Sequence, residues 1–166
     1  MSLPPEFGGQ GIPEVIAVIG KETQLAANQG FTIGASLTTG AANLIYTFGS
    51  DLQKDEFCQN MFSGKWAGTM CLTEPHAGSA VGDVITSATK QEEGHYLIKG
   101  TKQFITNGDH DMADNIVHLL LARTPNSQQG SKGISLFIVP KKRPDGSKND
   151  ITLVSIEHKM GINGSP

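Results

Sequence analysis

Two short stretches of this chain order hydroxyls, glycines and one flat aromatic ring as a planar heterocycle with a phosphate tail would need them. The first is Met70-Cys71-Leu72-Thr73-Glu74-Pro75-His76-Ala77-Gly78-Ser79, and the second is Gly100-Thr101-Lys102-Gln103-Phe104-Ile105-Thr106-Asn107-Gly108. Residues 70–73 read as a short irregular strand ending in a hydroxyl. Backbone N–H and C=O groups of such a strand, with that hydroxyl, can meet a ring edge that carries several acceptors and a donor. Thr106 sets a second hydroxyl after another strand-like run, and Phe104 offers a flat apolar face for stacking. Gly78 and Ser79 form a turn whose amides can approach a pyrophosphate, with no Cβ at Gly78 in the way. Each feature alone occurs in any β-rich protein, so the reading depends on the elements that bring them together.

The chain changes character near residue 65. Before it the pattern is helical. Pro13 and Glu14 suit a helix start, because proline is tolerated in a first turn and an acidic group favours the positive pole. Val15, Ile16, Val18 and Ile19 recur at helical spacing, and Gly30 is expected to end that helix. Residues 33–48 are small and apolar, a composition expected to pack closely on other helices. Gly49-Ser50 breaks the run. Ser50 or Asp51 then caps a shorter helix with Leu52, Phe57, Met61 and Phe62 on its apolar side.

After Lys65 the signals turn strand-like: 66–72, then 84–89 and 96–102 as a pair joined by Glu92-Glu93-Gly94. Residues 116–123 and 134–140 are continuous apolar runs, expected to be buried on both faces, and 151–158 alternates. The fold class that follows is α+β, a short N-terminal helical segment followed by an antiparallel β-barrel or sandwich. The division is 1–64 helical and 65–166 barrel.

Composition removes several classes of function. The net charge of −3 gives no basic stripe for nucleic acid. No apolar run approaches the ~18 residues of a membrane span, and no secretory signal pattern is present. Hydrophobic content of 37% with 17% charged residues does not describe a disordered chain. Cys58 and Cys71 lack Cys-x-x-Cys spacing and read as reduced, buried thiols. The five histidines show no metal-ligand spacing, so no metal is expected.

The motifs resemble a known family. Leu-Thr-Glu-Pro-x-Ala-Gly-Ser, followed roughly twenty residues later by Gly-x-Lys-x-Phe-Ile-Thr-Asn-Gly, is similar to the double flavin signature of the acyl-CoA dehydrogenase middle domain. The opening Leu3-Pro4-Pro5-Glu6-Phe7-Gly8-Gly9-Gln10-Gly11 resembles that family's N-terminal domain, and Glu157-His158-Lys159-Met160-Gly161-Ile162 its Lys-Met-Gly segment. The likeness covers nearly the whole chain. In detail it looks most like the long bacterial members, the group that includes the 3-methylmercaptopropionyl-CoA dehydrogenases.

The resemblance implies an FAD cofactor, an acyl-CoA substrate oxidised to a trans-2-enoyl-CoA, an electron-transferring flavoprotein as acceptor, a homo-oligomer and a cytoplasmic setting. It implies that Met70, Leu72 and Thr73 line the pyrimidine edge of the flavin, with Thr73 near N1 and O2. Gly78 and Ser79 lie by the pyrophosphate, with Ser79 also near the substrate's thioester arm. Phe104 stacks beside the ring where many members carry Trp. Ile105 adjoins it, and Thr106 donates to N5. Asn107 and Gly108 are expected to shape the turn. The family's catalytic base is a glutamate of a C-terminal helical domain, so no catalytic residue is assigned here. The expectation is a fragment, catalytically inactive alone and holding FAD weakly or not at all.

Two departures stand out. Ala80 occupies a position where the family usually has Asp, which removes a cap or turn hydrogen bond. Phe104 keeps the stacking face of Trp without its indole N–H. Among other polar residues, Glu74 reads as structural, His76 and His110 as loop residues, and Lys141-Lys142-Arg143 as a solvated turn. Two other readings fit the same residues: an acyl-CoA oxidase or related flavoenzyme, and a non-enzymatic β-barrel interaction module.

Overall fold

The computed structural model describes residues 3–166. Helix α1 spans Glu14–Ala27 and helix α2 spans Gln29–Phe48. The break between them falls at Asn28, not at Gly30. Asn28 leaves helical geometry, and its side chain accepts the N–H of Phe31 at 3.0 Å, which caps the new helix. Gly30 lies inside the first turn of α2. A third helix, α3, runs from Asp51–Gln53 through a π-helical turn Lys54–Cys58 into Gln59–Phe62. Ser50 opens it with a capping box shared with Gln53.

Five strands follow: β1 (Trp66–Cys71), β2 (Ser87–Lys90), β3 (Tyr96–Lys99), β4 (Asn115–Arg123) and β5 (Ile134–Pro140). Strand β4 is the centre. It runs parallel to β1, from Trp66↔Asn115 to Cys71↔Leu120, and antiparallel to β5, from Val117↔Pro140 to Arg123↔Ile134. Beyond the end of β1 it meets β2 at Ser87↔Arg123, and β2 pairs with β3 as a hairpin turned at Gly94 (φ 84°).

The sheet is therefore mixed and open, where an antiparallel barrel was expected. A parallel β1–β4 pair needs a long crossover, and the β2–β3 hairpin with its flanking loops forms it. The alternating residues 151–158 make no strand, and Leu153, Val154 and Ile156 are exposed. Strand β5 is only partly covered, with Leu136 exposed, whereas β4 is buried along most of its length.

The core joins helices to sheet. Ala41, Ala42 and Ile45 of α2 meet Phe57, Cys58, Met61 and Phe62 of α3 and Val117 and Leu119 of β4. Large side chains fully buried there, such as Met61 and Leu119, each contribute about 1.5–3 kcal/mol. The small residues of α2 serve contact with a strand rather than only with helices. A Cβ at Gly68 would stand 2.8 Å from Ala41 Cβ and 2.7 Å from Met61 Cε, so β1 and α2 touch almost backbone to backbone. Helix α1 turns its apolar residues outward: Val15, Ile16, Val18 and Ile19 are exposed and only Ala17 is buried. Leu52, expected on the apolar side of α3, is also exposed. Both cysteines are free and buried.

Candidate functional site

Strand β1 is an edge strand. Strand β4 covers one side of it, and no strand pairs with the other among the described residues. Gly68 donates its N–H outward to Thr38 Oγ1 at 3.0 Å. Backbone groups alternate along a strand, so those of Met70 face the same uncovered side. Met70, Leu72 and Thr73 are half-buried at this edge.

The second segment is tied to the first. The N–H of Gln103 donates to the Thr73 carbonyl at 2.9 Å. Lys102 Nζ donates to the Leu72 carbonyl at 3.1 Å and to Glu74 Oε1 at 2.8 Å. Phe104 follows with φ 57°, a backbone conformation unusual for a bulky residue, and its ring is half exposed. Ile105 and Thr106 are half-buried. Asn107 (φ 53°) makes the turn after Thr106 and is buried.

Glu74 is the charge that fixes this corner. It is almost completely buried. Its Oε1 accepts from Lys102 Nζ and from the N–H of Thr86 (3.1 Å), and its Oε2 accepts from the N–H of Ile85 (2.8 Å). Burial alone would raise its pKa, but Lys102 and these donors outweigh it and hold the carboxyl at about 2. A carboxylate so held binds no proton near neutral pH and is structural, as the sequence suggested. It also closes the turn 74–77, where Glu74 and Ala77 exchange both backbone hydrogen bonds.

That turn delivers Gly78 and Ser79, both exposed. Among the described residues, no atom beyond its two chain neighbours lies within 4 Å of where a Cβ at Gly78 would stand, so packing does not demand a glycine there. Ala80 then precedes a 3₁₀ turn, Val81–Asp83, with no side-chain cap. Arg123 holds the turn instead. Its guanidinium donates to the carbonyls of Gly82, Val84 (2.8 Å), Gln128 (2.9 Å) and Gly130 (2.8 Å). No hydrogen bond links Gly78 or Ser79 to the Phe104–Thr106 segment among the described residues.

Behind β1 lies a buried polar pair. Thr69 Oγ1 and His118 Nδ1 are 2.7 Å apart, and Nε2 of His118 is buried with no hydrogen-bond partner among the described residues. Burial, helped by the Lys141 charge, lowers the His118 pKa from 6.5 to about 4. Stability is therefore expected to fall in two steps on acidification. Folded His118 refuses a proton that the unfolded chain accepts, so the upper step runs from pH 6.5 down to about 4. Folded Glu74 keeps a charge that the unfolded chain neutralises, so the lower step runs from pH 4.5 down to about 2. Urea midpoints measured against pH check this. His118→Gln is expected to flatten the upper step and leave the lower one.

Other polar residues are engaged in structure. His76 Nε2 lies 3.1 Å from the Asp83 carbonyl. The basic run is partnered rather than merely solvated: Lys141 pairs with Asp109, Lys142 Nζ donates to the Asp114 carbonyl at 2.6 Å, and Arg143 donates to Asn149 Oδ1 at 3.2 Å. No cluster of His, Cys, Asp or Glu suited to a metal ion occurs among the described residues, and none of their helices is long and apolar enough to cross a membrane.

The sequence that folds into these helices and this open mixed sheet matches two family models. The acyl-CoA dehydrogenase middle-domain model matches residues 69–166 and the N-terminal-domain model residues 1–65. The chain belongs to the acyl-CoA dehydrogenase family. It is 43% identical to the 3-methylmercaptopropionyl-CoA dehydrogenase of Ruegeria pomeroyi, an alignment covering 100% of this chain and 29% of that protein. Among solved structures, the acyl-CoA dehydrogenase of Bacillus anthracis complexed with FAD is 31% identical with a TM-score of 0.76, covering 99% of this chain and 26% of that one. A chain described as the electron transferring flavoprotein of Acidaminococcus fermentans is also 31% identical, with a TM-score of 0.81, over 99% of this chain and 41% of that one. The chain spans about a quarter to two-fifths of the length of its curated relatives.

Proposed function

We propose that this chain forms the flavin-holding part of an FAD-dependent acyl-CoA dehydrogenase, with residues 1–64 belonging to the N-terminal helical domain and 65–166 to the middle domain. The observation that carries the proposal is the joining of the two motif segments at the open edge of β1, through Gln103 to Thr73 and Lys102 to Leu72. The residues present fit FAD. Met70 offers the uncovered edge of β1 to the pyrimidine ring, and Leu72 and Thr73 continue it, Thr73 with its hydroxyl. Gly78 and Ser79 offer exposed amides and space for the pyrophosphate. Phe104 presents a half-exposed ring on a constrained backbone, and Ile105 and Thr106 follow it.

Bound FAD supplies the acceptor for the hydride that leaves the substrate's β-carbon. The chain's own residues bind and orient. Thr73 and Thr106 direct hydroxyls at the ring, Phe104 excludes water from one side of it, and Ser79 serves both the pyrophosphate and the substrate arm. Glu74 is spent on Lys102 and takes no part as a base. The substrate is an acyl-CoA thioester, the product a trans-2-enoyl-CoA, and the electron acceptor an electron-transferring flavoprotein, in a cytoplasmic homo-oligomer. A similar Acidaminococcus fermentans chain described as an electron transferring flavoprotein supports the acceptor.

Fluorescence titration with FAD tests the site. Thr73→Val and Thr106→Val are each expected to weaken binding about tenfold, the worth of one hydrogen bond to a ring acceptor. Unchanged affinity in both variants would remove these residues from the site.

A further inference from the structure

The turn that carries Thr106 is held by three residues far from it in sequence, Lys159, Ser165 and Pro166. Ser165 is fully buried. Its hydroxyl donates to Asn107 Oδ1 at 2.8 Å and accepts the Asn107 N–H at 3.0 Å and Lys159 Nζ at 3.3 Å. One donor and two lone pairs are thereby all used. Lys159 is 7% exposed and pairs with no side-chain carboxylate among the described residues. Its ammonium instead donates to Ser165 Oγ, to the Pro166 main-chain oxygen at 3.3 Å and to the Ile105 carbonyl at 3.2 Å. The Gly108 N–H donates to the Pro166 carbonyl at 2.9 Å. Both sides of Thr106 are therefore fastened to residues 159–166. The clamp also bears on α2, because a Cβ at Gly34 would stand 1.7 Å from Asn107 Nδ2.

A buried ammonium without a side-chain ion pair is an expensive way to hold a loop, since burial disfavours its charge. Such an arrangement fits a turn whose position must be set rather than merely tolerated. We infer that Lys159, Ser165 and Asn107 are positioning residues that set the 104–108 turn so that Thr106 presents its hydroxyl to the cofactor. This rests on the flavin site proposed above.

The test uses the 166-residue chain and FAD, with two readouts. Amide hydrogen exchange without FAD reports the clamp. The visible difference spectrum at saturating FAD reports the environment of the ring, with Thr106→Ala as the reference. Three variants are compared. Lys159→Met removes the ammonium. Asn107→Gly removes the side chain while keeping a residue suited to positive φ. Gly34→Ala displaces Asn107 from the helix side. Each is expected to speed exchange at Asn107 and Gly108 about tenfold, as loss of a hydrogen bond would. Each is also expected to reproduce the spectral change of Thr106→Ala. Unchanged exchange would overturn the clamp. Faster exchange with a wild-type flavin spectrum, while Thr106→Ala alters it, would overturn the positioning role. If Thr106→Ala itself leaves the spectrum unaltered, the flavin site fails, and with it the positioning role.

Discussion

Replacing Lys102 by methionine is expected to destabilise the chain by about 3–5 kcal/mol, read as a fall in the urea midpoint. The size follows from burial. The side chains of Lys102 and Glu74 are 8% and 1% exposed and lie 2.8 Å apart. Removing the ammonium leaves a buried carboxylate with the amides of Ile85 and Thr86 and the His76 ring 3.7 Å away, and removes the donor to the Leu72 carbonyl. The double variant Glu74→Gln/Lys102→Met is expected to recover a large part of the loss, because no charge is then left alone. A single variant as stable as the wild type would show that the ion pair does not hold the corner where the two motifs meet.

Arg123→Met is expected to be the second large effect, about 3 kcal/mol or more, since charged donors to carbonyls are the stronger kind. One side chain at the end of β4 holds four carbonyls, those of Gly82, Val84, Gln128 and Gly130. Close approach is built in: a Cβ at Gly133 would stand 1.7 Å from the Gln128 carbonyl oxygen. Loss of Arg123 is expected to loosen the 79–84 segment in particular, because Ala80 gives its 3₁₀ turn no cap. Amide exchange of Asp83 and Val84, whose N–H groups close that turn, measures it. Exchange no faster than in the wild type would show the turn to be self-supporting.

Much of this was legible in the residues. Helices and strands with a strong period or a clear breaker came out where expected, as with the Ser50 cap and the runs that became β4 and β5. Asn107 as a turn former follows from the tolerance of Asn for positive φ. The sheet's closure and hand of pairing did not follow, because strand runs show neither which neighbour they take nor its direction. Nor did the outward apolar face of α1, since periodicity gives a stripe but not what covers it. The segment 151–158 alternates like a strand, yet a strand needs a partner and none pairs with it among the described residues. The residues that fix the site, Lys102, Arg123, Lys159 and Ser165, were missed as such. Each acts through contacts between 5 and 58 residues away in sequence, which no local pattern encodes. The lysine within Gly-x-Lys-x-Phe was the one available signal.

The most direct test of the flavin site is an amide NMR titration of the chain with FAD, which detects even weak binding. Shifts are expected to concentrate at Met70, Leu72, Thr73, Gly78, Ser79 and Phe104–Thr106, and to saturate. Shifts gathered elsewhere on the sheet would contradict the placement of a flavin at the edge of β1.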